Sequence, residues 1–409
     1  MTGFACRICS SSDADLVLDF GKVALADSFL PSADAIAREQ RYPLTLVLCR
    51  NCLHLQIREV LDPTLLFSEY VWETGIPASI RRYCSEFADA VLQRVRVATA
   101  RTVLEIASND GTMLREFQGR GWDIIGVDPA RNIAQKADAA GIPTVADFFG
   151  ERVAKALLSR HGRRDLVIAR NVLAHVADLH GLMAGIRLLL AQDGFAVIEV
   201  PHLLTMYREL QYDQVFHEHI GYHSVDSIVR LCGLHELTVF DVERPWIHGG
   251  SARVYLTHAA RRRPASAAVE QVLREENEAG ILDPAAWQRF GDGARTQKRL
   301  LRAELSSLQS AGKMVVGYGA SGKGQSMIQF CELDARLVKY VADKSAMKIG
   351  TLAPGSHIPV VSPETMRADP VDIVLLFAWN FASEILEQEQ ALRQRGARFL
   401  HPIPEPHYL

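Results

Sequence analysis

Residues 102–108, TVLEIAS, form an apolar run that ends against Asn109, Asp110 and Gly111. This pattern predicts a parallel strand buried on both faces, followed by a loop and a helix start. A turn of small and polar residues lets the backbone approach a ligand closely at the carboxyl end of such a strand. The texture repeats outward from this point. DIIGVD (123–128), DLVIARN (165–171) and FAVIEV (195–200) read as further strands, with helices between them, one around 180–191. An amphipathic helix over 79–96 precedes the set. Strands alternating with helices predict a doubly wound α/β sheet.

The acids in this segment sit where a nucleoside would be held. Glu105 lies within the first strand, and Ala107, Asn109 and Asp110 form its loop. Asp128 ends the next strand, where a carboxylate can accept both hydroxyl protons of an adenosine ribose. Asp147 and Phe148 fall where a third strand would end, placed for an adenine amino group and its face. The loop lacks the three-glycine fingerprint of dinucleotide sites, which favours S-adenosylmethionine as the cofactor here.

Cys6 and Cys9 form one C-x-x-C pair, and Cys49 and Cys52 form another. Two such knuckles supply the four sulfurs of a closed tetrahedral zinc site, which has no open position and is therefore structural. The first seventy residues show little helical periodicity and are too few to bury a large core unaided, which a metal would compensate. Cys84, Cys232 and Cys331 read as core.

A chain of 409 residues implies two or three domains. Its formal net charge of -3 offers no basic field for nucleic acid. No apolar run reaches the roughly 18 residues of a membrane span. The N-terminal MTGFACRICSS lacks the pattern of a signal peptide, so a cytoplasmic protein is expected. Seven cysteines, an odd number, predict thiols and metal ligands rather than a disulfide framework.

The densest chemistry lies in YDQVFHEHIGYHS (212–224). His217 and His219 do not have the spacing of a zincin metal site. Proton transfer is the better reading, with a histidine taking a proton from a carbon next to a ketone. His175 follows the strand at 165–171, at the rim where such sites form. Further on, KMVVGYG (313–319), LVKYVAD (337–343), VDIVLLFAW (371–379) and ARFLHPIP (397–404) predict a second, shorter α/β unit. There Gly317, Gly319 and Gly322 spell G-x-G-x-x-G, with Asp343 after the next strand. That string supports a rival expectation, a nicotinamide-dependent oxidoreductase. A third reading is a scaffold without chemistry. Lys323, just past the third glycine, is placed to meet a diphosphate.

Taken together, these residues resemble the zinc-containing sugar C-methyltransferases of deoxysugar biosynthesis, especially those acting at carbon three of a thymidine-diphosphate 4-keto-sugar. The similar segments are the four cysteines, EIASNDG, NVLAH (171–175), HEH (217–219), HGGSARV (248–254), GYGASGKG (317–324), PGSHIPV (354–360) and AWNF (378–381). The resemblance implies a zinc module over 1–75, a class I methyltransferase domain over 76–250 and a C-terminal α/β substrate-binding domain over 251–409, in a monomer acting on a small molecule. It implies His219 as the base, with Glu218 and His175 positioning or polarising the substrate and Tyr70 reaching the sugar. It places Asn171 at the cofactor, and Phe216, Tyr222, His248, Gly249, Lys323 and Asn380 at the substrate. Three departures stand out, one being VWETGIP (71–77) after Tyr70 in place of a serine-rich run. Phe216 replaces a frequent tyrosine, and Ala107 a usual glycine. They admit a non-sugar ketone or an indole-like acceptor as alternatives.

Overall fold

The computed structural model describes residues 4–67, 74–75, 78–95 and 101–409. Among these residues the strands form sheets of four, seven and six. The seven-stranded sheet runs, edge to edge, Leu237–Glu243, Ser251–His258, Leu190–Pro201, Arg164–Arg170, Thr102–Ile106, Asp123–Val127 and Thr144–Val145. Ser251–His258 is antiparallel to both its neighbours, and the pairs from Leu190–Pro201 to Thr144–Val145 are parallel. From Thr102–Ile106 the chain winds first towards Thr144–Val145 and then returns to Arg164–Arg170 on the other side. That reversal opens a crevice at the carboxyl ends of these two strands.

Both faces of the sheet are covered, which is why its strands read as continuous apolar runs. Val103 points into a core with Tyr83, Cys84 and Phe87 of the helix Ala78–Arg94. Leu104 and Ile106 point the other way, against Leu182, Met183 and Ile186 of the helix Leu179–Leu189. The two antiparallel strands at 237–258 complete the sheet; strand-by-strand reading of the sequence did not anticipate them.

The six-stranded sheet runs Val360–Val361, Val341–Ala342, Val315–Tyr318, Ile373–Leu376, Arg398–His401 and His407–Tyr408. The strand expected over 337–343 is only Val341–Ala342. Leu337 and Val338 are buried, but Asp334 accepts the backbone N–H groups of Arg336 and Leu337 and holds this stretch as a turn.

The four-stranded sheet contains Ala14–Ala24, Arg41–Cys49, Leu55–Ile57 and, from far along the chain, Gly221–Tyr222. Its core is also borrowed. Leu18, Leu46 and Leu48 share one apolar cluster with Trp287 and Phe290 of the long helix Pro284–Ser310 and with the six-stranded sheet, and Phe20 lies 4.8 Å from Phe330. The cysteine-bearing segment is thus completed from two distant parts of the chain.

Candidate active site

The loop after Thr102–Ile106 is held from both sides. Asp128 is buried and accepts the N–H of Asn109 at 2.8 Å and of Ala130 at 2.9 Å, tying the loop to the next strand. Asn109 and Asp110 each accept a backbone N–H, from Thr74 and Gly75 respectively, both at 2.8 Å. Glu105 is buried 3.8 Å from Arg170, and burial raises its carboxyl to about 8 despite that guanidinium. Asp147 pairs with the exposed Arg152 at 2.7 Å, and Phe148 is 37% exposed at the rim. Three adjacent strands therefore each present an acid at or near the carboxyl end.

Ala107 has φ 54°, in the left-handed region that favours glycine. This explains the usual glycine there, and Ala107→Gly should stabilise the protein by about 1 kcal/mol in a denaturant titration. A loss of stability would mean that the Ala107 methyl packs more usefully than the backbone is strained.

The histidines meet across the crevice. Asn171, also left-handed at φ 53°, follows Arg164–Arg170 and gives its side-chain amide to His248 Nε2 at 3.0 Å. His175 and His219 stand edge to face with ring centroids 4.8 Å apart. His219 Nδ1 lies 3.0 Å from the Gln214 carbonyl, which can only accept, so the proton is on Nδ1 and Nε2 keeps its lone pair. Phe216 packs on the His219 ring at 4.1 Å. Burial lowers all three imidazoles, His175 to about 4, His248 to about 3 and His219 well below its ordinary value, the last helped by His175 and Lys323. All are neutral at pH 7. Glu105 Oε2, Ser108 Oγ, Asn171 Oδ1 and His175 Nδ1 are buried without a hydrogen-bond partner among the described residues. Such orphaned atoms fit a site that takes a polar ligand.

The four zinc-module cysteines converge. Cys6 Sγ is 3.5 Å from Cys52 Sγ, Cys9 Sγ is 3.5 Å from Cys49 Sγ, and all four sulfurs lie within 4.8 Å of one another as free thiols. Hydrogen bonding to Cys52 pulls the Cys6 thiol down to about 4, while burial raises Cys49 to about 11. Four thiolates cannot share this volume without a cation, and an all-sulfur tetrahedron suits zinc.

Family models match in succession, described as "Putative zinc binding domain" over residues 6–67, methyltransferase domain over 79–242 and C-methyltransferase C-terminal domain over 246–404. C-methyltransferase NovU of Streptomyces niveus is 35% identical over 401 residues, covering 98% of this chain and 96% of that protein. The chain belongs to this C-methyltransferase family. It has a class I methyltransferase fold, with S-adenosylmethionine and structural zinc as its cofactors. Among solved structures, an S-adenosylmethionine-dependent methyltransferase from Clostridium acetobutylicum ATCC 824 aligns with 44% of this chain and 92% of its own at 10% identity and a TM-score of 0.36. Magnesium protoporphyrin IX methyltransferase from Synechocystis PCC 6803 aligns with 44% and 76% at 12% identity and 0.31.

In this C-methyltransferase several residues expected at the ligands have other work. Tyr222 is buried, and its hydroxyl donates to the His219 carbonyl at 2.9 Å, which props the histidine loop. A Cβ on Gly249 would lie 2.6 Å from the Trp379 ring, so glycine there makes room for that indole. Lys323 is turned towards the methyltransferase domain. Its ammonium donates to the His248 carbonyl at 2.7 Å and lies 4.8 Å over Trp379. Asn380 is half-buried beside Trp379. Glu218 is buried, and its backbone partly offsets the lowering of the His175 imidazole by burial. Tyr70 lies outside the described residues.

Membership of the C-methyltransferase family favours methyl transfer over the nicotinamide-dependent oxidoreductase that G-x-G-x-x-G had suggested. A Cβ on Gly317 would lie 2.5 Å from Phe377, and one on Gly319 2.4 Å from the Ala378 methyl, so these glycines serve strand packing. Phe216 packs against Gly322, with its ring 3.2 Å from where a Cβ would stand. The Asp343 carboxylate accepts the N–H groups of Ala320 and Ser345. Among the residues that sequence reasoning missed are Arg170, Gln214, Asp213 and Trp379, whose indole N–H donates to Asp213 at 2.6 Å. Arg170 directly precedes NVLAH, but its pairing with Glu105 depends on which strands become neighbours.

Proposed function

We propose that this C-methyltransferase methylates the carbon alpha to the ketone of a thymidine-diphosphate-linked 4-keto-deoxysugar, with His219 as the base. The observation that carries this reading is the His219 ring, neutral and with Nε2 free to accept, beside His175 and within reach of the Lys323 charge. S-adenosylmethionine, when bound, supplies an electrophilic methyl group. Glu105, Asp110, Asp128 and Asp147 would hold it at the carboxyl ends of the strands. His219 takes the proton from carbon onto Nε2, and the Gln214 carbonyl, bonded to Nδ1–H, favours the resulting imidazolium. The Lys323 ammonium stabilises negative charge building on the ketone oxygen. Phe216, without a hydroxyl, contributes a wall rather than a hydrogen bond.

The test is a thermal-shift titration with S-adenosylhomocysteine, NAD, NADP and thymidine diphosphate, singly and in pairs, since a ligand of the native state raises stability with occupancy. Stabilisation by S-adenosylhomocysteine, increased further by thymidine diphosphate, is the expected result. Stabilisation by S-adenosylhomocysteine alone would move the acceptor away from thymidine-linked sugars, in the direction Phe216 points.

A further inference from the structure

We propose that Arg7, the first of the two residues inside the first cysteine knuckle, is a positioning residue that links the zinc site to His219 and His175 through the peptide group of Ile220. The proposal rests on the reading of His219 as base.

The geometry is a knot around one peptide. Ile220 follows His219 directly, and its N–H donates at 2.6 Å to the carbonyl of Ala174, the residue before His175. Its carbonyl accepts two donors, the Ile57 N–H at 3.1 Å and Arg7 Nη1 at 2.9 Å. Arg7 Nη1 also bonds Gln56 Oε1 at 2.8 Å, and Nη2 bonds the Ile57 carbonyl at 2.9 Å. Gln56 turns its amide back to Cys6 Sγ at 3.2 Å. The knuckle, the strand Leu55–Ile57 and the histidine loop are therefore joined by one guanidinium. Gly221–Tyr222 then pairs with that strand as the outer strand of the zinc-module sheet. A planar fork with donors on two edges can span all three partners, and a lysine ammonium cannot reproduce this. A guanidinium stays charged at neutral pH.

The functional consequence is precision. A catalytic group misplaced by about 1 Å can cost about a hundredfold in rate, and the zinc knuckle stands one residue from the backbone that sets both imidazoles. Zinc takes no chemical step in this picture. It holds Cys6 and Cys9, and so fixes the base of Arg7.

The test compares Arg7→Lys and Arg7→Met with the wild type by zinc content, hydrogen exchange and steady-state kinetics on thymidine-diphosphate-4-keto-6-deoxyglucose. Arg7→Lys is expected to keep its zinc and to exchange the amides of 215–222 at least about tenfold faster, with 123–139 unchanged. Its kcat should fall about tenfold or more, with the KM for S-adenosylmethionine unchanged. Unchanged exchange over 215–222 in a zinc-loaded Arg7→Lys protein overturns the proposal, as does zinc loss without faster exchange there. Arg7→Met should show the same pattern more strongly, and if it fails to fold Arg7→Lys decides alone. If exchange rises as expected but His219→Asn keeps full turnover, the coupling stands and the base assignment falls.

Discussion

His219→Asn is expected to lower turnover at least about a hundredfold, the usual contribution of a positioned general base, with little change in affinity for S-adenosylhomocysteine. Asparagine keeps a donor near the Gln214 carbonyl and removes the Nε2 lone pair, so the loop should survive while the proton acceptor is lost. The pH dependence gives an independent check. A base must be neutral to accept a proton, and burial together with His175 and Lys323 holds His219 below its ordinary value. The acid limb of kcat/KM, which reports the free enzyme, should therefore lie below the histidine range, with activity flat from neutral pH down to about 6. Near-normal turnover in the variant, with calorimetry showing the same S-adenosylhomocysteine affinity, would remove His219 from the base role.

Cys49→Ser should cost more stability than any single substitution in the histidine cluster. Cys49 is buried at the end of Arg41–Cys49, with its sulfur 3.5 Å from Cys9. Loss of one thiolate opens the tetrahedron, and zinc binding in small modules is worth roughly 10 kcal/mol of folding free energy. Part of that is offset here, because the module shares its core with Trp287 and Phe290. A fall in melting temperature of about 10 °C or more is expected, reproduced in the wild type by a chelator. A variant that loses zinc, measured by metal analysis, yet melts at the wild-type temperature would show that the borrowed core alone supports the module.

The parallel sheet was legible because its signal is local. TVLEIAS is apolar on both faces for the reason now visible, Val103 against one helix and Leu104 and Ile106 against another. The zinc ligands were legible because a C-x-x-C pair closes on a metal within four residues. The histidine cluster was legible as a group because His217, Glu218 and His219 stand together in HEH. The roles of Gly249, Tyr222 and Lys323 were not, since each is decided by a neighbour from another element: Trp379, the backbone of the histidine loop, and His248.

Sequence alone determined what short-range periodicity and spacing encode. These are a doubly wound domain, a four-cysteine knuckle pair, a first loop without the dinucleotide glycines and a histidine-rich segment. The tertiary structure decided which distant segments become neighbours. It placed Gly221–Tyr222 on the zinc-module sheet, set Arg7 against Ile220 across 213 residues of chain, and laid Phe216 over the glycine turn that had suggested nicotinamide. Such pairings have no local signature, because they are chosen by the packing of whole elements and by the need to satisfy each buried donor and carbonyl.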